Sequence, residues 1–278
     1  MNDTDHDAAI LNLVAADGAR ISLHRHGAHI TAWTPVDGLE RLYLSGRADY
    51  RPSAAIRGGI PVIFPQFAGE GPLPKHGFAR TADWMFVDAQ STEAGGQAVR
   101  FRLNDTDASR TIWPQAFTAE LLAVIGGQRL SVALSVHNRG ATAFTFTAAL
   151  HTYLAVEDLD ATRLVGLRGL RYRDTAYAGV QCVESADALA IRGEVDRIYL
   201  DAPAELLLSE PGRRLRIAQQ GFCDTVVWNP GAAKGAQLAD LDLGGHARML
   251  CVEAAVVGRP VSLEPGASWT GSQTLIAS

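Results

Sequence analysis

The sequence predicts an all-β protein built as an antiparallel β-sandwich, and three observations carry that reading. Short runs of alternating apolar and polar residues recur along the chain, separated by Gly, Pro and Asp turns. Two such runs, residues 120–125 and 128–137, flank Gly126-Gly127, and Gly-Gly supplies the positive φ that tight hairpin turns need. No stretch has the 3.6-residue periodicity of an amphipathic helix of three or more turns.

Taken in order, Ile21 and Leu23 alternate with polar neighbours before the break at Gly27. Residues 30–34 form a second run ahead of Pro35 and the turn Asp37-Gly38, and residues 41–44 a third, closed by Ser45-Gly46. Residues 83–87 and 98–103 flank a loop holding Gly95-Gly96. In the return strand of the hairpin, Leu130, Val132, Leu134 and Val136 share one face, as a half-buried strand requires. Residues 144–154 read as one strand, with Phe144, Phe146, Ala148 and Leu150 on one parity. Thr145, Thr147, Ala149, His151 and Tyr153 take the other, so His151 should project from the more polar face. Residues 161–193, rich in Arg and Gly, read as irregular with short strands; 205–209, 215–217 and 225–228 resume the β pattern. The final strands are expected at 247–253, 261–263 and 269–275. Leu250 and Val252 share one parity there, and Cys251 and Glu253 the other. No internal repeat or linker interrupts the chain, which reads as a single domain over residues 1–278.

A formal charge of −5 without runs of like charge argues against a nucleic-acid partner, and no segment is long and apolar enough to span a membrane as a helix. The first residues are acidic where a secretion signal would be basic. Cys182, Cys223 and Cys251 give an odd count without metal-type spacing, which fits a reducing compartment. The expectation is a cytoplasmic monomer acting on a small molecule.

Residues 56–80, IRGGIPVIFPQFAGEGPLPKHGFAR, gather Arg57, Lys75, His76 and Arg80 with four prolines and five glycines. Glycine opens backbone conformations closed to other residues and proline fixes φ, so this run shapes a surface. Composition alone leaves it equally open to be a binding loop or a solvated connection. The remaining chemistry lies in His151 and in the carboxylates Glu253, Asp196 and Glu157. A carboxylate with a pKa of about 4.3 can act as base and an imidazole near ~6.5 as acid, so one His and one Glu suffice to move protons. His24 and His26 alternate without an evident third ligand, which speaks against a metal site. Neither a Gly-rich nucleotide loop ahead of a helix nor a Gly-x-Ser-x-Gly elbow is present. Spacing cannot pair His151 with Glu253, which lie far apart in the chain.

Seven segments in order resemble the glucose-6-phosphate 1-epimerases, the hexose-6-phosphate mutarotases of the galactose-mutarotase-like superfamily. They are residues 27–33 (GAHITAW), 57–67 (RGGIPVIFPQF), 73–80 (LPKHGFAR), 150–154 (LHTYL), 196–199 (DRIY), 227–230 (VWNP) and 251–253 (CVE). The resemblance implies a large β-sandwich of that superfamily with a sugar site on the open face of one sheet. It implies a catalytic pair, His151 and Glu253, interconverting the α and β anomers of a hexose 6-phosphate with neither metal nor organic cofactor. It further implies a phosphate held by Arg57 and Arg80, and sugar contacts from His76, Asp196 and Gln66. Trp33 or Trp228 is a candidate for stacking on the sugar, against a simpler role for each as a core residue. Lys75 departs from the pattern, standing where a glutamine is expected; residues 254–257 and 231–245 are also less distinctive. Two other readings remain at this point, a non-catalytic sugar-binding module and an aldose 1-epimerase for unphosphorylated sugars.

Overall fold

A computed structural model describes residues 10–278; the acidic opening, residues 1–9, lies outside them. Among the described residues, twenty strands form three sheets, and every pairing between strands is antiparallel. The smallest sheet joins β1 (Ile10–Val14), β2 (Arg20–His24) and β3 (His29–Thr34). An eight-stranded sheet runs in the order β13 (Val180–Val183), β12 (Arg171–Asp174), β15 (Val195–Tyr199), β18 (Asp224–Asn229), β19 (Met249–Leu263), β9 (Phe144–Leu150) and β4 (Val62–Ile63). Its eighth strand, β10 (Tyr153–Ala155), pairs with β19 beyond the end of β9. A nine-stranded sheet runs β14 (Ala188–Ala190), β11 (Arg163–Val165), β16 (Glu205–Glu210), β17 (Arg213–Gln220), β20 (Ser268–Ala277), β8 (Arg129–Asn138), β7 (Phe117–Gly126), β6 (Gln97–Asn104) and β5 (Met85–Ser91). Two short α-helices, α1 (Asp107–Ile112) and α2 (Gly231–Gly235), and three single-turn 3-10 helices (Ala79–Thr81, Thr175–Tyr177 and Gly245–Arg248) complete the regular structure among the described residues.

The two large sheets sandwich one apolar core. Leu121, Leu134, Val136 and Leu275 enter it from the nine-stranded sheet, and Val62, Ala148, Leu150, Val227, Val252 and Ala254 from the eight-stranded one. Strict alternation of buried and half-buried positions along β7 and β8 is what a strand with one core face must show. Phe64, fully buried, meets the rings of Trp113, Phe117 and Phe146 at 5.3–5.4 Å and so fastens the 56–80 stretch to the core.

Several sequence expectations are corrected. The hairpin turn lies one residue later than expected, because Gly126 pairs with Arg129 and leaves Gly127-Gln128 as the turn. Only Gly127 has positive φ, the pattern of a II′ turn, in which glycine is needed at the first central position alone. The expected strands at 247–253 and 261–263 are one continuous strand, β19, whose register against β9 shifts between Val256 and Val261. Residues 41–44 form only isolated bridges through Leu42 and Leu44. The strand expected over 144–154 divides in two. The His151 amide bonds to the Pro61 carbonyl and the Thr152 amide folds back to Leu150, which kinks the chain between β9 and β10.

Candidate active site

The outward face of the eight-stranded sheet carries the site. Cross-strand register places Val226 opposite Glu253, Ile198 opposite Val226, Trp228 opposite Cys251 and Asp196 opposite Trp228, all on that face. The kink after β9 brings His151 alongside. Its Nε2 lies 3.4 Å from Oε1 of Glu253, although the two residues are remote in sequence. Both side chains are buried, and a cavity of about 600 Å³ opens over them, lined also by Arg57, Lys75, His76, Arg80, Asp196 and Trp228.

Burial dominates the electrostatics of the pair. It pushes the Glu253 carboxyl well above its ordinary value; Asp196 adds to the rise and Arg80 opposes it. Burial also holds His151 well below the usual imidazole value, with His76, Arg80 and Arg57 acting in the same direction. Glu253 Oε2 and His151 Nδ1 have no hydrogen-bond partner among the described residues. A free carboxylate oxygen beside a cavity is positioned to accept a proton or a hydroxyl.

Of the residues expected in the site, Arg57, His76, Arg80, Asp196, His151 and Glu253 all line this cavity. Gln66 does not. Its amide donates to the Ala68 and Leu73 carbonyls and accepts from the Leu73 amide, so it staples the loop that carries His76. The expected sugar contact from Gln66 is therefore replaced by support of the loop. His76 adopts a left-handed conformation (φ 67°), and its Nδ1 accepts from the Ala68 amide, leaving the proton on Nε2. Burial, reinforced by Arg80, Lys75 and Arg57, lowers its pKa to about 3, so at neutral pH it is an uncharged donor. Asp196 is raised by burial, while the Thr175 hydroxyl works against that rise. The two tryptophans part ways. Trp33 is fully buried in the core, whereas Trp228 lines the cavity in a T-shaped contact with His151.

Tyr153 and Asp240 were not singled out by the sequence reading. Arg57 donates to the Tyr153 hydroxyl at 3.0 Å, and its Nε and Nη2 meet Asp240 at 3.2 and 3.1 Å. Tyr153 shares the strand parity of His151, a signal that was there to be used. Asp240 lies in a Gly- and Ala-rich run with no pattern to mark it.

Fold and cavity together define a galactose-mutarotase-like β-sandwich with a buried histidine–glutamate contact at the base of a polar pocket. The chain belongs to the aldose 1-epimerase family, whose model matches residues 10–275. Among its relatives, a protein of Cenchrus ciliaris is 33% identical over 96% of this chain and 85% of its own length. One of Salmonella typhimurium is 31% identical over 90% of this chain and 85% of its own. Both carry the provisional name glucose-6-phosphate 1-epimerase. Among solved structures, a provisionally named mutarotase from Salmonella typhimurium aligns with a TM-score of 0.89 at 26% identity, covering 97% of this chain and 90% of that one.

Proposed function

We propose that this protein interconverts the α and β anomers of D-glucose 6-phosphate or a closely related hexose 6-phosphate, using Glu253 and His151 as an acid–base pair. The approach of Glu253 to His151 at the base of a cavity rimmed by Arg80 and Lys75 carries the reading. Glu253 removes the proton from the C1 hydroxyl while His151 delivers one to the ring oxygen. The bond between C1 and the ring oxygen breaks, leaving an aldehyde at C1 and a hydroxyl at C5. After rotation about C1–C2, that hydroxyl attacks the other face of the aldehyde. His151 takes back the C5 hydroxyl proton and Glu253 returns its proton to O1, so the pair ends as it began. One proton is held between the two groups throughout. The neutral pair that burial favours has the same proton count as the ionised pair that begins ring opening.

Arg80 suits the phosphate because, among the described residues, it makes no ion pair and its Nη2 donates only to the Lys75 carbonyl at 3.2 Å. Lys75, exposed where Arg80 is half-buried, adds a second cation at the same rim. Asp196 and His76 suit sugar hydroxyls as acceptor and donor. The free thiols of Cys182, Cys223 and Cys251 fit a reducing, cytoplasmic setting, and the family match over residues 10–275 fits a single domain.

The test is anomerisation of freshly dissolved α-D-glucose 6-phosphate, followed by polarimetry against the spontaneous rate. Glu253→Gln and His151→Asn should each lose about 10²-fold or more of the acceleration. Arg80→Ala should raise KM for the phosphosugar by about tenfold or more, corresponding to one charge-assisted contact. Wild-type protein giving no acceleration would remove the reading. Equal acceleration of glucose and glucose 6-phosphate would move it to an aldose 1-epimerase for free sugars.

A further inference from the structure

Arg57 differs from the other cations of the cavity in being fastened at both ends of its guanidinium. Asp240 takes Nε and Nη2, and the Tyr153 hydroxyl accepts from Nη1. A guanidinium has five N–H groups, so two remain to meet an anion in the cavity. Tyr153, itself buried, lies flat on the His151 imidazole with centroids 4.8 Å apart and planes 10° apart. A catalytic imidazole is ordinarily held by a hydrogen bond to its second nitrogen, which fixes tautomer and ring plane. His151 Nδ1 has no such partner among the described residues. The ring plane is set instead by the Tyr153 stack, with the Trp228 ring at 80° to the imidazole and centroids 5.9 Å apart.

We propose that Asp240, Arg57 and Tyr153 form a positioning relay, through which an anion bound beside Arg57 and Arg80 sets the orientation and charge of His151. The proposal rests on the phosphosugar reading above and adds that the phosphate raises turnover as well as affinity. The cause is electrostatic and geometric together. Arg57 and Arg80 both oppose a positive charge on His151, and a phosphate dianion between them offsets that opposition where the ring must hold the proton it donates. The same anion immobilises Arg57, and through the Tyr153 hydroxyl it stiffens the ring on which His151 rests. Asp240, on the far side of Arg57, keeps the guanidinium aimed while the site is empty. A purely local grip would change how tightly the sugar is held without touching the imidazole.

Cutting the substrate in two separates these outcomes. β-D-Glucose serves as the neutral piece and inorganic phosphite as the detached anion, with the rate in phosphite without enzyme subtracted. Phosphite should compete with glucose 6-phosphate and, at saturation, raise kcat/KM for glucose by about tenfold or more, the worth of one charged hydrogen bond. Tyr153→Phe keeps the stacked ring but lacks the hydroxyl. It should still bind phosphite yet lose most of the activation, and should lower kcat for glucose 6-phosphate more than it raises KM. Asp240→Asn, a milder change, should reduce the activation in part. The relay is wrong if phosphite competes without activating, if it fails to compete, or if Tyr153→Phe activates as wild type does. These failures are distinct from failure of the functional reading, in which wild-type protein would not accelerate glucose 6-phosphate at all.

Discussion

Glu253 is 1% exposed and has one carboxylate oxygen without a hydrogen-bond partner among the described residues, which makes it a costly residue to ionise. Burial, then Asp196, raises its pKa well above the ordinary 4.5. A carboxyl with a higher pKa in the folded than in the unfolded chain favours the fold fully below pH 4.5, and the advantage is lost as pH rises through the folded value. Glutamine does not titrate. Glu253→Gln should therefore be more stable than wild type by about 1–3 kcal/mol at alkaline pH, the desolvation cost of one buried polar group. Thermal melts from acid to alkaline pH check this, and the gain should shrink as pH falls toward 4.5. A difference that stayed constant across that range would show that Glu253 is not strained by its surroundings. The variant should also be inactive, so a group retained for chemistry would be seen to weigh against stability.

At the scale of elements, the 56–80 stretch acts as a rigid frame for His76 and Arg80. Gly77, next to His76, is one of its two tightest points. With φ at +67°, a Cβ there would sit 2.1 Å from the Phe64 carbonyl oxygen, a clash with backbone that cannot rotate away. Gly77→Ala should cost about 1–3 kcal/mol and displace His76, lowering activity on phosphorylated and free sugar alike. Chemical denaturation together with both rate assays tests it, and an unchanged midpoint would mean that the frame is soft. The composition of this stretch announced such a loop, and strand parity put His151 and Glu253 on the open face, because a two-residue period assigns faces without knowledge of the partners. Parity could not show that β9 kinks at His151, since the kink comes from amides bonding to Pro61 and Leu150, neither of which leaves a sequence pattern. Asp240 was illegible for a similar reason. It acts from a loop after α2, and a lone aspartate among Gly and Ala looks like any solvated carboxylate. Gln66 misled in the opposite way, since a polar residue inside a signature motif reads as a ligand whether it holds substrate or its own loop.

For the whole molecule, the site depends on a sheet that does not line it. Gln273 on β20, 2% exposed, reaches across the core from the nine-stranded sheet. Its Nε2 donates to the Val252 carbonyl at 3.0 Å and its Oε1 accepts from the Thr152 hydroxyl at 2.5 Å. Thr152 and Val252 are the chain neighbours of His151 and Glu253, and the Val252 amide bonds to the Thr152 carbonyl at 3.1 Å. One buried amide thus ties the segments that carry both members of the pair to the opposite sheet, at the kink where the regular strand β9 has ended. Gln273→Leu has similar bulk and no polar side-chain atoms, so in an apolar core it removes the bond to the Val252 carbonyl and leaves the Thr152 hydroxyl only its long 3.5 Å bond to the Leu150 carbonyl. It should cost about 2–4 kcal/mol and lower kcat for glucose 6-phosphate about tenfold with little change in KM, because the phosphate rim is untouched. Leu275→Ala provides the comparison, lying two residues along the same strand on the same core face. It should cost about 2–5 kcal/mol through its cavity but leave kcat near wild type at temperatures where the protein stays folded. If both variants lose kcat in proportion to stability, the link across the core is merely structural. If Gln273→Leu alone loses it, the spacing of Glu253 and His151 is maintained by the far sheet.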